Sequence, residues 1–461
     1  MIGYIQFENE TKIGNLELDF CKSGNEAYNT IVLAGENGCG KTAILEAIAG
    51  FQRGTYLWKS SFIKKVMYFD DNSTCRTILR DEESKRYDKP DGVTEDEWDA
   101  MCEFTEQTFY EERFELMDTT PFDIRNRKVV FSEARSGFEV NLEEDTRRYD
   151  YEEEKYEKDG ANYSGLVQLL IDLEEKDNEE YISYAKFNPK CTYAEYMSKN
   201  SRTARFKKAF ESIFEDISYL GKDPSRQGTS IYFTKGEQQI DINELSTGEK
   251  QIVFRGTDIL FHAEDGATII IDEPELSLHP RWQEKILDFY RNLFKDDFGN
   301  QTVQLIIATH SQYVVRAAMQ DKDNVKVIIL NKEDSKVKAD VIEEAVLGEY
   351  SSAEVNYLAF GVEKKDYHIQ LFGALHNMLQ GITDSGVTHS ILSMDHYIKN
   401  HPFYDSLKHE REDSSHGHYD TLTVYIRNAI DHPDSGRRYS DSDLDISIGL
   451  LRDIYKAVRD N

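Results

Sequence analysis

Three short apolar runs stand out along this chain: Thr30 to Ala34, Ala267 to Ile271 and Gln304 to Ala308. Each is strand-sized and bounded by polar or glycine-rich sequence, and the second is dominated by β-branched residues, so the pattern predicts strands buried on both faces of a parallel sheet. A glycine-rich turn and a helical stretch, Ala43 to Ala49, follow the first run. Leu166 to Leu173 and Phe206 to Ile217 carry the one-sided apolar spacing of amphipathic helices. Ile446 to Val458 reads as a final helix, and Asp441, Asp443 and Asp445 after Tyr439 and Ser440 suit its N-cap and acidic first turn. Asn141 to Asp159, rich in Glu, Asp and Tyr, lacks a sustained heptad and so predicts no long coiled coil. No apolar run approaches the length of a membrane span.

The turn after the first run is Gly35-Glu36-Asn37-Gly38-Cys39-Gly40-Lys41-Thr42. Strand, glycine loop, Lys-Thr and helix in this order form a phosphate-binding loop of Walker A type. Gly35, Asn37, Gly38, Cys39 and Gly40 would turn backbone N–H groups towards a phosphate, Lys41 would add a mobile charge, and Thr42 would offer its hydroxyl to Mg²⁺. The second run ends in two carboxylates. A buried strand delivers them at its C-terminal edge, with Asp272 placed to hold Mg²⁺ and Glu273 to orient or deprotonate the attacking water. Leu245-Ser246-Thr247-Gly248-Glu249-Lys250-Gln251 pairs a serine hydroxyl and a glycine with the start of a helix, an arrangement able to grip a γ-phosphate. The third run delivers Thr309-His310-Ser311.

Walker A, a signature turn, Walker B and a switch histidine in this order, with Glu275-Leu276-Ser277-Leu278-His279-Pro280 after the acids, resemble the cassette ATPases of the SMC, RecF and OLD group. The resemblance covers residues 1 to about 330 and implies an α/β P-loop NTPase fold of ATP-binding-cassette type. It also implies a homodimer in which Gly38 to Thr42 of one copy and Ser246 to Glu249 of the other sandwich one ATP with Mg²⁺, while Lys41, Glu273 and His310 serve hydrolysis. ATP at about a hundred times its dissociation constant adds roughly 2.7 kcal/mol to a closed state. The adenine-stacking aromatic stays open among Tyr4, Phe7 and Tyr28, and the Q-loop glutamine has no clear position. Cys39 stands where such loops usually carry a small residue such as serine, which suggests a loop sensitive to oxidation.

Composition narrows the setting. Length 461 suits two or three domains, and five cysteines without a CxxC pair point to a reducing cytoplasm without structural zinc. The net charge of −31 argues against broad coating of nucleic acid, although a confined basic patch can act within a screening length of about 8 Å. The densest basic run, Arg202 to Lys208, also fits the solvated face of a helix. About two hundred residues separate the phosphate loop from the signature turn, and residues about 60 to 230 are expected to include an acidic helical insertion.

The cassette pattern ends near residue 335, and 336 to 461 is expected to form a mainly helical domain without the acids of a Toprim nuclease. Ser351 to Leu379 is similar to a stretch found in ATPases of bacterial phage-defence islands, including those of Septu systems, which implies a nearby HNH-type nuclease as partner. Tyr425-Ile426-Arg427-Asn428-Ala429-Ile430-Asp431-His432-Pro433 has the R-N-x-x-x-H spacing of HEPN ribonucleases. There the histidine would serve as acid or base and the arginine would steady the scissile phosphate. Residues five apart on a helix point about 140° from each other, so Arg427 and His432 converge only if the helix ends between them, as Pro433 allows. The same segment suits an inactive dimerising tail, or a structural helix in which Arg427 pairs with Asp431. His409, His416 and His418 lie in loop-like sequence, with metal binding a minor reading. The combined expectation is an ATPase that gates a partner nuclease, the alternatives being a self-contained ribonuclease and a RecF-like DNA repair ATPase.

Overall fold

The computed structural model describes residues 1–10, 12–22, 26–53, 63–69, 75–80, 104–110, 113–115, 128–134, 164–222, 230–296, 298–333, 336–342, 345–382, 390–413 and 418–460. The acidic segment Asn141 to Asp159 and His416 lie outside them. The chain divides into two compact units, Met1–Val341 and Ile342–Asn461.

The first unit opens with β1 (Ile2–Glu10), β2 (Gly14–Asp19), β3 (Thr30–Ala34) and α1 (Lys41–Arg53). Strands β4 (Ile63–Phe69), β5 (Cys75–Arg80), β6 (Phe104–Tyr110), β7 (Arg113–Glu115) and β8 (Val129–Ser132) follow. Helices α2 (Ser164–Ala185), α3 (Tyr193–Asn200) and α4 (Arg202–Ile213) lead into a meander of β9 (Ile217–Lys222), β10 (Ile231–Lys235) and β11 (Gln238–Asp241). Helix and strand then alternate: α5 (Thr247–His262), β12 (Thr268–Asp272), α6 (Pro280–Leu293), β13 (Gln304–Thr309), α7 (Gln312–Gln320), β14 (Val325–Glu333) and β15 (Lys336–Val341).

The three apolar runs become β3, β12 and β13, and every residue of the three is buried. They join one sheet of order β15-β14-β3-β13-β12-β8, parallel except for β15. Only strands covered on both faces tolerate such uniform hydrophobicity. The register sets Thr309 beside Ala34 and Asp272 beside Ala308, so the C-terminal ends of β3, β13 and β12 lie along one edge. Ligands bind at that edge in open α/β sheets. A second, antiparallel sheet runs β2-β1-β4-β5-β6-β7. Its inner residues Ile5, Phe7, Leu18 and Val66 share one core with Ile44, Leu45 and Ile48 of α1 and with Ile270, Ile306 and Ile328 of the parallel sheet.

Where residues 60 to 230 are described, they form strands from 63 to 132, helices from 164 to 213 and a further strand from 217 to 222. The basic run falls on α4, which Ser201 caps and which buries Phe206, Ala209, Phe210 and Ile213 at helical spacing. Lys207 and Lys208 face solvent, and Arg202 pairs with Glu180 at 2.7 Å, so these cations lie on the polar side of a packed helix. Among the described residues no helix is long and apolar enough to cross a membrane.

The second unit contains α8 (Ser352–Phe360), α9 (Lys364–Ile382), α10 (Ile391–Lys399) and α11 (Ser406–His409). The short strands β16 (Glu410–Asp413) and β17 (Tyr419–Thr421) pair ahead of α12 (Leu422–Asp431) and α13 (Asp441–Arg459). Tyr367, Leu371, Leu375, Met394, Ile398, Val424, Ile426, Ile448, Leu451 and Ile454 form its core. Ser440 and Asp443 close a capping box at α13, so the aspartate string starts a helix as its spacing predicts.

Candidate nucleotide site

Gly38 and Gly40 of the phosphate loop take φ values of 84° and 89°, in the left-handed region that side chains with a Cβ avoid, and this lets the loop curl before α1 begins. Lys41 is 6% exposed, and its ammonium donates to the Gly35 and Glu36 carbonyls at 2.8 and 3.0 Å. Glu36, Asn37 and Gly38 form the exposed outer rim. Cys39 is 3% exposed with Sγ 3.8 Å from the Lys41 ammonium. The thiol therefore lies inside the loop and not on its exposed rim.

Thr42 donates its hydroxyl to Asp272 Oδ2 at 2.7 Å, bringing together the two residues expected to share Mg²⁺. Asp272 Oδ1 is buried and has no hydrogen-bond partner. Burial pushes the Asp272 carboxyl above its usual range, the Thr42 hydrogen bond opposing the shift. An anionic oxygen pair, one member bonded to a hydroxyl and the other left open, fits a hard cation with oxygen ligands. Phe7 packs in the core and is 1% exposed, so it is removed from the adenine-stacking candidates. Tyr28 is half-buried, with the ammonium groups of Lys22 and Lys326 over its ring, while Tyr4 lies beneath that of Lys65.

After β12 the chain turns sharply, with Glu273 and Ser277 at φ values of 46° and 62°. A left-handed glutamate is held there at a cost on the order of 1–2 kcal/mol, a strain that clusters at functional sites. His310 Nδ1 lies 3.3 Å from Glu273 Oε1 and 3.3 Å from Glu275 Oε1. Glu275 is 3% exposed, and its Oε1 also accepts from Thr309 Oγ1 at 2.6 Å and from the His310 backbone N–H at 2.9 Å. It therefore fixes the histidine turn to the Walker B turn. Gln283 on α6 adds a brace by accepting from Ser311 Oγ at 2.6 Å. Sequence reasoning gave neither residue a role, although Glu275 sits two positions beyond Glu273.

The signature turn is the N-terminus of α5. Ser246 caps the helix and Glu249 returns a hydrogen bond to the Ser246 N–H at 2.7 Å, a capping box that leaves Ser246 and Thr247 exposed. Glu249 itself is buried and pairs with Lys235 at 2.9 Å, so it braces the turn instead of facing a ligand. A Cβ on Gly248 would stand 2.7 Å from the Ser277 carbonyl oxygen, so this glycine is required by close packing of the signature turn on the segment after Walker B.

A buried cation links the two. Arg255 of α5 is 4% exposed, and its Nη2 donates to the carbonyls of Asp272, Ser132 and Glu133 at 2.5, 3.1 and 2.9 Å. Its Nη1 donates to the Glu273 carbonyl and its Nε to Ser132 Oγ, each at 2.9 Å. Nothing in the local sequence signals this role, because the acceptors lie 17 to 123 residues away.

In the second unit Arg427 pairs with Asp431 at 2.5 Å and donates to Asn428 Oδ1 at 3.1 Å, while His432 is the exposed C-cap of α12. The Arg427–Asp431 pair is the one expected of a structural helix. Glu412, His418 and Asp420 converge with ligating atoms within 4.8 Å, and His409 is apart from them, accepting at Nδ1 from the Asp405 N–H.

The chain is 23% identical over 348 residues to "Septu protein PtuA" of Bacillus mycoides (strain KBAB4), covering 71% of this chain and 40% of that protein. It is 30% identical over 142 residues to "Retron Vc95 probable ATPase" of Vibrio cholerae serotype O1 biovar El Tor, covering 28% of this chain and 25% of that protein. It spans two fifths or less of the length of these relatives. Among solved structures, an SMC head bound to the C-winged helix domain of ScpA superposes with a TM-score of 0.40 at 13% identity, covering 74% of this chain and 97% of that one. The SMC head domain from Thermotoga maritima gives 0.39 at 13% identity, covering 74% and 99%. Residues 31–316, the stretch holding every nucleotide motif described above, match the family described as "AAA domain, putative AbiEii toxin, Type IV TA system", and this chain belongs to that family.

Proposed function

We infer that this chain is a Mg²⁺-dependent ATPase whose nucleotide state closes and opens a homodimer of its first unit. The observation that carries this reading is the meeting of Thr42, Asp272, Glu273 and His310 at one sheet edge, through contacts of 2.7 to 3.3 Å. The phosphate loop wraps the β-phosphate with its N–H groups, and Lys41 exchanges its carbonyl partners for β and γ oxygens. Thr42 and Asp272 would hold a magnesium ion, which would supply charge neutralisation for phosphate oxygens. Glu273 orients the attacking water and takes its proton, and His310, braced by Glu275, positions Glu273 and faces the γ-phosphate. The exposed rim of the phosphate loop and the exposed N-terminus of α5 are two half-sites of one chain, which supports their completion by a second copy.

We further infer a role in antiphage defence, with dimer closure gating a partner nuclease of HNH type. That reading is supported by the similarity to the Septu protein and by the second unit, which offers a helical body without the nucleotide motifs. The ribonuclease alternative finds less support, since the guanidinium of Arg427 is already engaged by Asp431.

Turnover assays on three chains test the site. Glu273→Gln is expected to bind ATP at wild-type affinity, to lower kcat by about 100-fold or more and to accumulate as a dimer. Lys41→Ala is expected to lose nucleotide binding. A Glu273→Gln chain hydrolysing ATP at the wild-type rate would remove that residue from its assigned role.

A further inference from the structure

We propose that Arg255 is a positioning residue that makes the placement of Glu273 depend on what the signature turn holds. The inference rests on the reading of the site given above. Arg255 lies nine residues beyond Ser246 on α5, about 13.5 Å along the helix axis at 1.5 Å per residue. At one end of that helix is the turn that would grip the twin's γ-phosphate. Midway along it, the guanidinium of Arg255 holds the Asp272 and Glu273 carbonyls at 2.5 and 2.9 Å.

Those two carbonyls define the peptide planes on either side of Glu273, and hence the direction of its Cα–Cβ bond. A residue at φ 46° sits in a narrow well, where a small rotation of either plane moves the carboxylate away from its 3.3 Å contact with His310 Nδ1. Among the described residues, the five hydrogen bonds of Arg255 go to uncharged acceptors: four carbonyls and the Ser132 hydroxyl. A buried cation is a costly way to fill a core position, and an aliphatic side chain would pack there at less expense in desolvation. What it adds is geometry, because a planar fork of donors sets several acceptors at once and a lysine cannot reproduce it. The same fork holds the Ser132 and Glu133 carbonyls at the end of β8, so the Walker B turn, its neighbouring strand and the signature helix move as one piece. The Gly248 contact with Ser277 adds a second link between the same two segments. Hydrolysis in this arrangement waits for dimer closure, since only a seated signature turn sets α5, and through Arg255 the water-orienting carboxylate.

The test compares the full-length wild type with Arg255→Met, Arg255→Lys and Arg255→Ala, measuring ATP affinity, kcat and KM separately. Dimer formation with ATP is followed by sedimentation with Glu273→Gln added to each chain. Arg255→Met is expected to bind ATP within about twofold of wild type and to dimerise, with kcat down about 30-fold and KM little changed. Arg255→Lys, able to reach one or two of the five acceptors, should stay about tenfold down. Millimolar methylguanidinium should restore part of the kcat of Arg255→Ala while leaving wild type unaffected, which a merely structural role would not predict. Should Arg255→Met be insoluble, Arg255→Lys and the rescue of Arg255→Ala carry the test. The inference is overturned by wild-type kcat in the Lys or Met chain, or by a loss confined to ATP affinity or dimer formation. If the wild type itself shows no turnover, or if Lys41→Ala turns over as wild type does, the site reading fails first and the inference falls with it.

Discussion

Asp272 states the site's chemistry in one residue. It is buried, hydrogen-bonded at one oxygen and open at the other, and its carboxyl is shifted upward by burial. A carboxyl whose folded pKa lies above its unfolded value favours the folded state most at pH below the unfolded value, and that contribution is lost as pH rises through the folded one. At neutral pH the nucleotide-free chain therefore carries a charge that destabilises it and that bound cation offsets. Asp272→Asn is expected to raise the thermal midpoint of the nucleotide-free chain at pH 7 while abolishing the extra stabilisation by Mg-ATP. Melting curves with and without Mg²⁺ check this, and an Asn variant that still gains from Mg-ATP as wild type does would contradict it.

At the scale of elements, the contact between the signature turn and the segment after Walker B seats α5 against Ser277. Gly248→Ala places a methyl group 2.7 Å from a backbone oxygen that has no flexible end to swing aside, so the turn must shift. The expected cost is about 1–3 kcal/mol of stability together with roughly tenfold slower turnover, read by denaturant titration and by steady-state rate. Unchanged values for both would show that the turn is not seated on Ser277. How much of this was legible in the sequence follows from where the information lies. The strands β3, β12 and β13 announce themselves because a doubly covered strand must be apolar throughout, and the candidate site groups at their ends inherit that clarity. Strands β4 to β7 did not, since their alternation is mixed with charged positions, as in the Ile-Lys-Lys-Val start of β4. Gly248 was readable as a glycine the turn needs, whereas its reason, the carbonyl of a residue 29 positions on, was not. Arg255 was silent for the same cause: an arginine on a helix is surface-like by default, and only tertiary contacts show it buried.

For the molecule as two units, each has its own core and its own response to pH. The second carries His368, fully buried on α9, with Nε2 hydrogen-bonded to Ser447 Oγ at 2.9 Å and Ser447 bonded in turn to Thr423. Burial pushes its imidazole down to about 3. A folded pKa below the unfolded value of about 6.5 means that acid protonates the unfolded chain first, so stability falls as pH drops from 6.5 towards 3. Between pH 7 and 5 this one group removes about 2 kcal/mol. His368→Gln should flatten that part of the pH profile, measured by denaturant unfolding of the full chain at both pH values; an equally steep profile would place the sensitivity elsewhere.

The central claim is that one ATP is held between the phosphate loop of one copy and the signature turn of another. Its most direct test is a crosslink between Asn37→Cys on one copy and Thr247→Cys on a second, both in the Glu273→Gln background and both at exposed positions. With Mg-ATP and a short bifunctional maleimide, the mixed pair is expected to give a covalent dimer that ADP does not give and that neither single variant gives alone. A mixed pair that crosslinks equally with ATP, with ADP and without nucleotide, or not at all with ATP, would contradict the account.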